Sequence, residues 1–540
     1  VAARGPARSP RAHALAAQAE AALREGAFDQ AAESYRALVG LEPRDIGAWY
    51  ALATIALRTG QPQHALEPIG RALSLDRKSA TLHSLHAVAL GELGRYDEAE
   101  AAARRAVVLA PADAGAHYNL GKILLIRARL EGAIAEFRRS IALDSRAAGG
   151  YFNLALSLDR SNDFDAACEA TERGLRVAPD DPWLLGWKAA ALERREGPEA
   201  AVTFLGAQLE RLPALAPLHF SLYNRLLALG RWREAWPELL WRSQRRLGRR
   251  PTADEYRGRR LPERLDGERV LLVSDWGLGD FLFFGRFAPA LRARGAQQIT
   301  LRVPVKLLEL LRAWDWAQRV PDEGPLETAG FDRVEALEDL PALLAADAPM
   351  PAIALPADAA LREHWAETLR RAGPPPYIGV TWRAGTDSID RPELADDVSR
   401  LTKKCPIEAL GAALAQVGGT LVVLQRQPRA GEIAAFAASA GAPLCDLSEI
   451  NEDLPAMAAV LSLIDDYVGV SNTNMHLQCA LGGTARVLVP FPPEGKWGAR
   501  GESSPWFPGF SVYREVEGWD TALGRLRADL LAAHGQAPAR

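Results

Sequence analysis

A fixed repeat period runs through the first part of this chain and leaves few folds open to it. Similar segments close at Pro43, Arg77, Pro111, Ser145 and Pro179, at equal intervals. With repeats starting at residues 12, 46, 80, 114 and 148, the eighth position reads Ala19, Ala53, Ala87, Gly121 and Ala155. The twentieth reads Ala31, Ala65, Ala99, Ala133 and Ala167, and the fourth carries Trp49, His83, His117 and Tyr151 after the first repeat. Small residues recur where two helices approach closely, bulky ones where their faces interlock, and Gly60, Gly94 and Asn162 stand between as turn residues. Such a unit buries only one face, so repeats must stack into a curved superhelix whose concave side suits extended peptides or other proteins.

This period, with small residues at positions 8 and 20, resembles the tetratricopeptide repeat over about residues 12–181. A sixth unit (about 182–215) is shifted by one residue, with Ala200, Phe204 and Ala207 in the usual places. A seventh starts near 216, turns at Gly230 and ends in Trp232, Trp236 and Trp241. That aromatic cluster reads either as ordinary core or as the face by which the solenoid joins the rest of the chain, since terminal repeats cap a stack or dock on a neighbour. Packing at a repeat position accounts for His83 and His117 better than metal binding or catalysis.

The chain has 540 residues, room for three or four domains. Lys+Arg (64) and Asp+Glu (68) nearly balance at −4, which argues against a dedicated nucleic-acid binder. No apolar stretch is long enough for a membrane span, and VAARGPARSPR lacks the apolar core of a signal peptide. Cys168, Cys405, Cys445 and Cys479 are too scattered for a disulfide framework, so a reducing, cytoplasmic setting is expected.

Residues 245–269 hold nine arginines against five acids, with Pro251 and Pro262 breaking any long helix. They read as a solvated linker or as a phosphate-attracting rim. From Val270 the periodicity changes. RVLLVS (269–274), QITLRV (298–303) and AIAL (352–355) are strand-like, and FLFFGRFAPALRARG and about 304–316 are helix-like. A second series comes after GPPPY (373–377), with strands at YIGVTW, GTLVVLQ, APLCDL, DYVGVS and ARVLVP and helices between. Strand–loop–helix alternation predicts parallel α/β sheets, with ligands beyond the C-terminal strand ends. Two such units suggest a cleft between them, and a last helix (about 519–534) is placed to cross back onto the first unit.

WGLGD (276–280), TWRAG (381–385), LTKKCP (401–406), GVSNTNMHLQCALG (469–482) and SPWFPGFSVYR (504–514) together resemble the two-domain GT-B glycosyltransferases, in their ADP-heptosyltransferase-like branch. The expected architecture is therefore an all-α tetratricopeptide solenoid followed by a GT-B fold of two Rossmann-like domains. Its bounds are a disordered tail (1–11), solenoid (12–244), basic linker (245–268), N-terminal α/β domain (269–372) and C-terminal α/β domain (373–540). The resemblance implies transfer of a sugar from a nucleotide sugar to an acceptor, without a metal or further cofactor. With the repeats in front, the expected acceptor is a protein held by them.

By position, the resemblance makes Asp280 the general base that deprotonates the acceptor hydroxyl. Asp is equally suited to helix capping there. Gly277 and Gly279 would let backbone approach the ligand. The leaving diphosphate needs positive charge, for which Lys403 is the first candidate and Lys404 and Arg383 the next. Ser471, Asn472, Thr473 and His476 open a helix after a strand, a place suited to phosphate or ribose, while Ser471 and Asn472 are equally suited to helix capping and His476 to the core. Ser471 and Asn472 replace the Asp-Thr that the family usually carries, and the run PEGKWGARG (493–501) keeps only Lys496, Trp497 and Arg500 of a richer pattern. That glycine-rich run reads as a flexible loop, forming a lid or an acceptor contact. These departures keep open an alternative, a non-catalytic tetratricopeptide scaffold with a degenerate nucleotide-sugar-binding domain.

Overall fold

A computed structural model describes residues 9–242, 259–384, 403–491 and 493–534. Most of the N-terminal tail, linker residues 245–258, Gly385 of TWRAG and the first two residues of LTKKCP lie outside the described residues. The chain divides into two compact units, one up to Ala191 and one from Leu192 onward.

Among the described residues fourteen helices precede the first strand. They are α1 (Pro10–Arg24), α2 (Phe28–Leu41), α3 (Ile46–Arg58), α4 (Pro62–Leu75), α5 (Ala80–Glu92), α6 (Tyr96–Leu109), α7 (Ala114–Ile126), α8 (Leu130–Leu143), α9 (Ala148–Arg160), α10 (Phe164–Val177), α11 (Pro182–Glu196), α12 (Pro198–Arg211), α13 (Ala216–Ala228) and α14 (Trp232–Leu239). The break between units falls inside α11. The repeat positions have plain physical reasons. A Cβ on Gly121 would lie 2.8 Å from the Phe137 ring, and Ala53, Ala87, Ala65 and Ala99 are wholly buried. The turns need left-handed backbone, supplied at Gly26, Gly60, Gly94, Gly197 and Gly230 and also at Ala128 and Asn162.

Position four has one chemical requirement. Trp49 Nε1 donates to the Pro43 carbonyl at 2.9 Å, and Tyr151 Oη donates to that of Ser145 at 3.3 Å. His83, His117 and His219 pair a ring nitrogen with the carbonyl of Arg77, Pro111 and Pro213 at 3.1, 3.1 and 3.0 Å. Each ring ties its helix to the turn just before it, and this is the packing role expected of His83 and His117.

The second unit holds two sheets. The first contains β1 (Arg269–Val273), β2 (Gln298–Val303), β3 (Gln318–Pro321) and β4 (Arg333–Ala336), all parallel in the order β3-β2-β1-β4. The second contains β5 (Tyr377–Thr381), β6 (Thr420–Val423), β7 (Leu444–Asp446), β8 (Asp466–Val470), β9 (Arg486–Val489), β10 (Ser503–Ser504) and β11 (Phe507–Arg514). Its order is β10-β11-β9-β8-β5-β6-β7, parallel apart from β10. Read from β7 to β11, this is the doubly wound order, with the reversal between β5 and β8. The first sheet reverses between β1 and β4.

Three expectations need correction. AIAL (352–355) is not a strand, because the Leu355 N–H goes to the Ala480 carbonyl at 2.9 Å instead of a sheet neighbour. The run after the glycine loop is two helices, Leu278–Gly285 and Pro289–Ala293. The last helix, Trp519–His534, lays Ala522, Leu523, Leu526 and Leu530 into the core of the second sheet beside Ile378, Val380 and Leu414 rather than onto the first.

α13 and α14 are bound to the α/β region by aromatic edges. Trp236 meets Phe287 at 5.9 Å and Trp506 at 5.7 Å, and Trp232 meets Trp506 at 5.6 Å. Trp241 instead stacks on His219 within its own repeat, at 4.0 Å. Beneath them Arg242 is buried against Asp339 at 2.5 Å and Glu338 at 3.4 Å, and Arg259 pairs with Asp339 and Glu335. Arg259 of the linker is therefore matched by carboxylates and contributes no phosphate rim.

Candidate functional site

Both sheets aim their C-terminal strand ends at one cluster. From the first sheet, β1 runs into Gly277, which adopts extended backbone and starts the helix Leu278–Gly285 with Asp280 in its first turn. From the second, β8 runs into Ser471 and Asn472, and then into the helix Thr473–Ala480. The two helices touch at Gly279, where a Cβ would stand 2.9 Å from His476 Cδ2 and 3.4 Å from Thr473 Cα. Gly279 is required by this contact. A Cβ on Gly277 would meet only Asp280 Oδ2, at 3.9 Å. Gly279→Ala should accordingly lower stability by about 1–3 kcal/mol through overpacking, while Gly277→Ala stays within about 0.5 kcal/mol. Denaturant unfolding of the two variants checks the contrast.

Lys496 is the hub. Its Nζ lies 3.4 Å from Asp280 Oδ1, 3.3 Å from His476 Nε2 and 3.2 Å from Glu494 Oε2, and 5.5 Å from the centroid of Phe283. Glu494 pairs through Oε1 with Lys403, and its Oε2 accepts from Ser471 Oγ at 3.0 Å. Lys403 is held at the end of β5 because the Ala384 N–H bonds its carbonyl at 3.1 Å and the Cys405 N–H bonds that of Trp382 at 2.8 Å. Asp280, Lys403, Ser471 and His476 thus come together through two residues of the 493–501 run.

That run is pinned, contrary to the expectation of a flexible loop. Gly495 packs under α13, where a Cβ would collide with the Asn224 carbonyl oxygen. Trp497 is buried and stacked on Phe507 at 4.4 Å, and Ser504 Oγ donates to the Lys496 carbonyl at 2.5 Å. The buried Arg514 of β11 donates to the carbonyls of Trp497 (2.8 Å), Gly498 (2.8 Å), Gly501 (3.2 Å) and Arg500 (3.4 Å).

Other candidates have different duties. Asn472 caps its helix by accepting from the Met475 N–H at 3.2 Å, and donates to Thr381 Oγ1 (2.9 Å) and Tyr467 Oη (3.0 Å). It fastens β5 to β8 at the switch point, and its side chain is satisfied within the protein. Arg383 pairs with Glu432 at 3.2 Å and donates to the Gln427 carbonyl, so it stands outside the cluster. Lys404 is exposed and bridges by backbone to Arg383. Thr473 enters only through its backbone against Gly279.

The charges are held firmly. Burial would raise the Glu494 carboxyl, but Lys403 and Lys496 hold it at about 2. Burial works against the Lys496 charge, yet Glu494 and Asp280 raise its pKa. His476 is pushed well below its usual 6.5 by burial and by Lys496, Arg286 and Lys403, and its Nδ1 is buried without a partner among the described residues. Its imidazole is neutral at physiological pH. Below 6.5 the unfolded chain takes a proton that the folded site refuses, so stability falls as pH drops through that value. We expect the melting temperature of the natural chain to decline between about pH 7 and 5, and His476→Gln to lose part of that slope; parallel profiles would refute this.

Sequence reasoning missed the part played by Glu494, the central place of Lys496, and Tyr223 of α13, whose pKa is raised by burial and by the charges of Asp280 and Glu494. Glu494 and Lys496 lie beyond the C-terminal end of β9 in a parallel sheet, which is itself a ligand-side address. Among the described residues no group of His, Cys, Asp and Glu could hold a metal ion, and no helix is long and apolar enough to cross a membrane.

Residues 22–89, 85–148 and 148–181 each match the tetratricopeptide repeat family. The first part of the chain is therefore a tetratricopeptide scaffold, the class of protein–protein interaction solenoid, followed by an α/β region. The chain is 26% identical over 386 residues to Protein FlbA of Caulobacter vibrioides, a match spanning 66% of this chain and 63% of that protein. Among solved structures it is similar to MamA from Desulfovibrio magneticus, at 21% identity over 32% of this chain and 99% of that one with a TM-score of 0.30. A tetratricopeptide repeat protein from Parabacteroides merdae is similar at 19% identity over 43% of this chain and 92% of that one, with a TM-score of 0.37.

Proposed function

We propose that the α/β region is a GT-B-type glycosyltransferase that moves a sugar from a nucleotide-sugar donor to a protein acceptor held by the repeats. The observation that carries this reading is the meeting of one half-exposed carboxylate, Asp280, with Lys496, Lys403, Ser471 and neutral His476 at the C-terminal strand ends of two parallel sheets. Asp280 accepts the proton of the acceptor hydroxyl as its oxygen bonds to the anomeric carbon. The bond from that carbon to the phosphate oxygen breaks, and the nucleotide leaves with the electron pair. Lys403, Lys496 and Ser471 meet the charge that develops there, a term often large in such reactions.

The test is a screen of ADP-, UDP-, GDP- and CDP-sugars for a shift in melting temperature and for turnover. A donor that both stabilises the protein and is consumed supports the transferase. Stabilisation without turnover, unchanged in Asp280→Asn, moves the reading to a nucleotide-sugar-sensing scaffold. No shift with any donor removes both.

A further inference from the structure

Two lysines and a hydroxyl converging from separate strand ends make a donor set for a phosphoryl group, since charge-assisted bonds to phosphate or carboxylate are of this kind. In this protein that set is already filled. Glu494 lays one carboxylate oxygen on Lys403 and the other on Ser471 Oγ (3.0 Å) and Lys496 (3.2 Å). We propose that Glu494 is an internal ligand of an anion site formed by Lys403, Lys496 and Ser471, and that a phosphate or diphosphate enters by displacing its carboxylate. This deepens the donor-binding reading above and rests on it for the identity of the natural ligand, but the anion site itself stands on the geometry.

The backbone around Glu494 directs which part moves. Gly495 is wedged under Asn224 and Leu227, and Arg514 holds the carbonyls of Trp497, Gly498, Arg500 and Gly501. The loop therefore stays, and rotation about the Glu494 side-chain bonds is the motion available. While it occupies the site the carboxylate is charged, because the two lysines hold it at about 2 against the effect of burial. An entering anion exchanges one carboxylate for its own oxygens on the same donors, so the two compete directly. Glu494 thereby weakens the binding of simple anions at the site and favours a ligand that makes further contacts.

The experiment uses the full chain and inorganic diphosphate, followed by calorimetry and by melting temperature. Glu494→Gln should bind diphosphate about ten- to a hundredfold more tightly than the natural chain, the size of one charge-assisted contact no longer competed away. Its melting temperature should be lower without ligand and recover with diphosphate. Glu494→Asp, which keeps the charge on a shorter arm, should gain several-fold. Adding Lys403→Met to Glu494→Gln should abolish the gain. Equal or weaker diphosphate binding by both single variants would overturn the proposal and leave Glu494 as a fixed structural counterion. A gain in diphosphate affinity with no turnover of any nucleotide sugar would keep this site and remove the transferase.

Discussion

Asp280→Asn is expected to lower the turnover of a bound donor by about 10²–10⁴-fold, the range that a positioned general base supplies. The substitution keeps the size of the side chain and a group able to face Lys496, now 3.4 Å from Oδ1, but removes the proton acceptor. Donor-induced stabilisation should survive, because the donor's phosphate is assigned to Lys403, Lys496 and Ser471. Ser471→Ala should give the opposite split, weaker stabilisation with a smaller effect on turnover at saturating donor. Transfer rates and melting shifts measured on both variants separate the two roles. Full turnover in Asp280→Asn would place the base elsewhere.

Trp236→Ala should cost about 3–5 kcal/mol, the largest stability loss we expect from a single side chain outside the cluster. The ring is 1% exposed and sits among Tyr223, Phe287 and Trp506 at 5.7–5.9 Å. Its indole nitrogen has no hydrogen-bond partner among the described residues, so the loss is of packing alone. The consequence reaches the cluster. Trp506 gives its carbonyl to Arg286 at 3.0 Å, and Arg286 lies over Phe283, the ring beneath Lys496. Trp236→Phe should recover part of the stability. Denaturant unfolding gives the magnitudes, and a loss below about 1 kcal/mol would show that the junction is not a packed core.

The solenoid was legible because its constraint is steric and repeats. Ala53 and Gly121 sit where a larger side chain meets the paired helix, and their even spacing along the chain exposes that without coordinates. The central strands β1, β5, β6 and β8 were legible as buried apolar runs. The short strands β3 and β4 were missed, since QRVP and RVEA carry charged residues at the sheet's edges. The site was half legible. Asp280 and His476 lie in runs whose type and place suggest chemistry, and the structure brings them to one lysine. Arg383 has the right charge, but Glu432, from a helix beyond the next strand, claims it. Asn472 looked like a ligand contact and is a fastening between strands. Glu494 and Lys496 lay in a glycine-rich run that reads as loose, because nothing local in PEGKWGARG reveals that Arg514 holds it.

One guanidinium, fixed on the last long strand of the second sheet, gathers four carbonyls of a run containing Gly498 and Gly501. Those glycines lower the run's own preference for any single shape, so its shape is borrowed from β11. The span from Lys496 to Asp280 is then set by how the two sheets stand, as a jaw is set by its hinge and not by its teeth. A change at Arg514, remote from the cluster in sequence and silent in charge chemistry, would shift the lysine and the glutamate together.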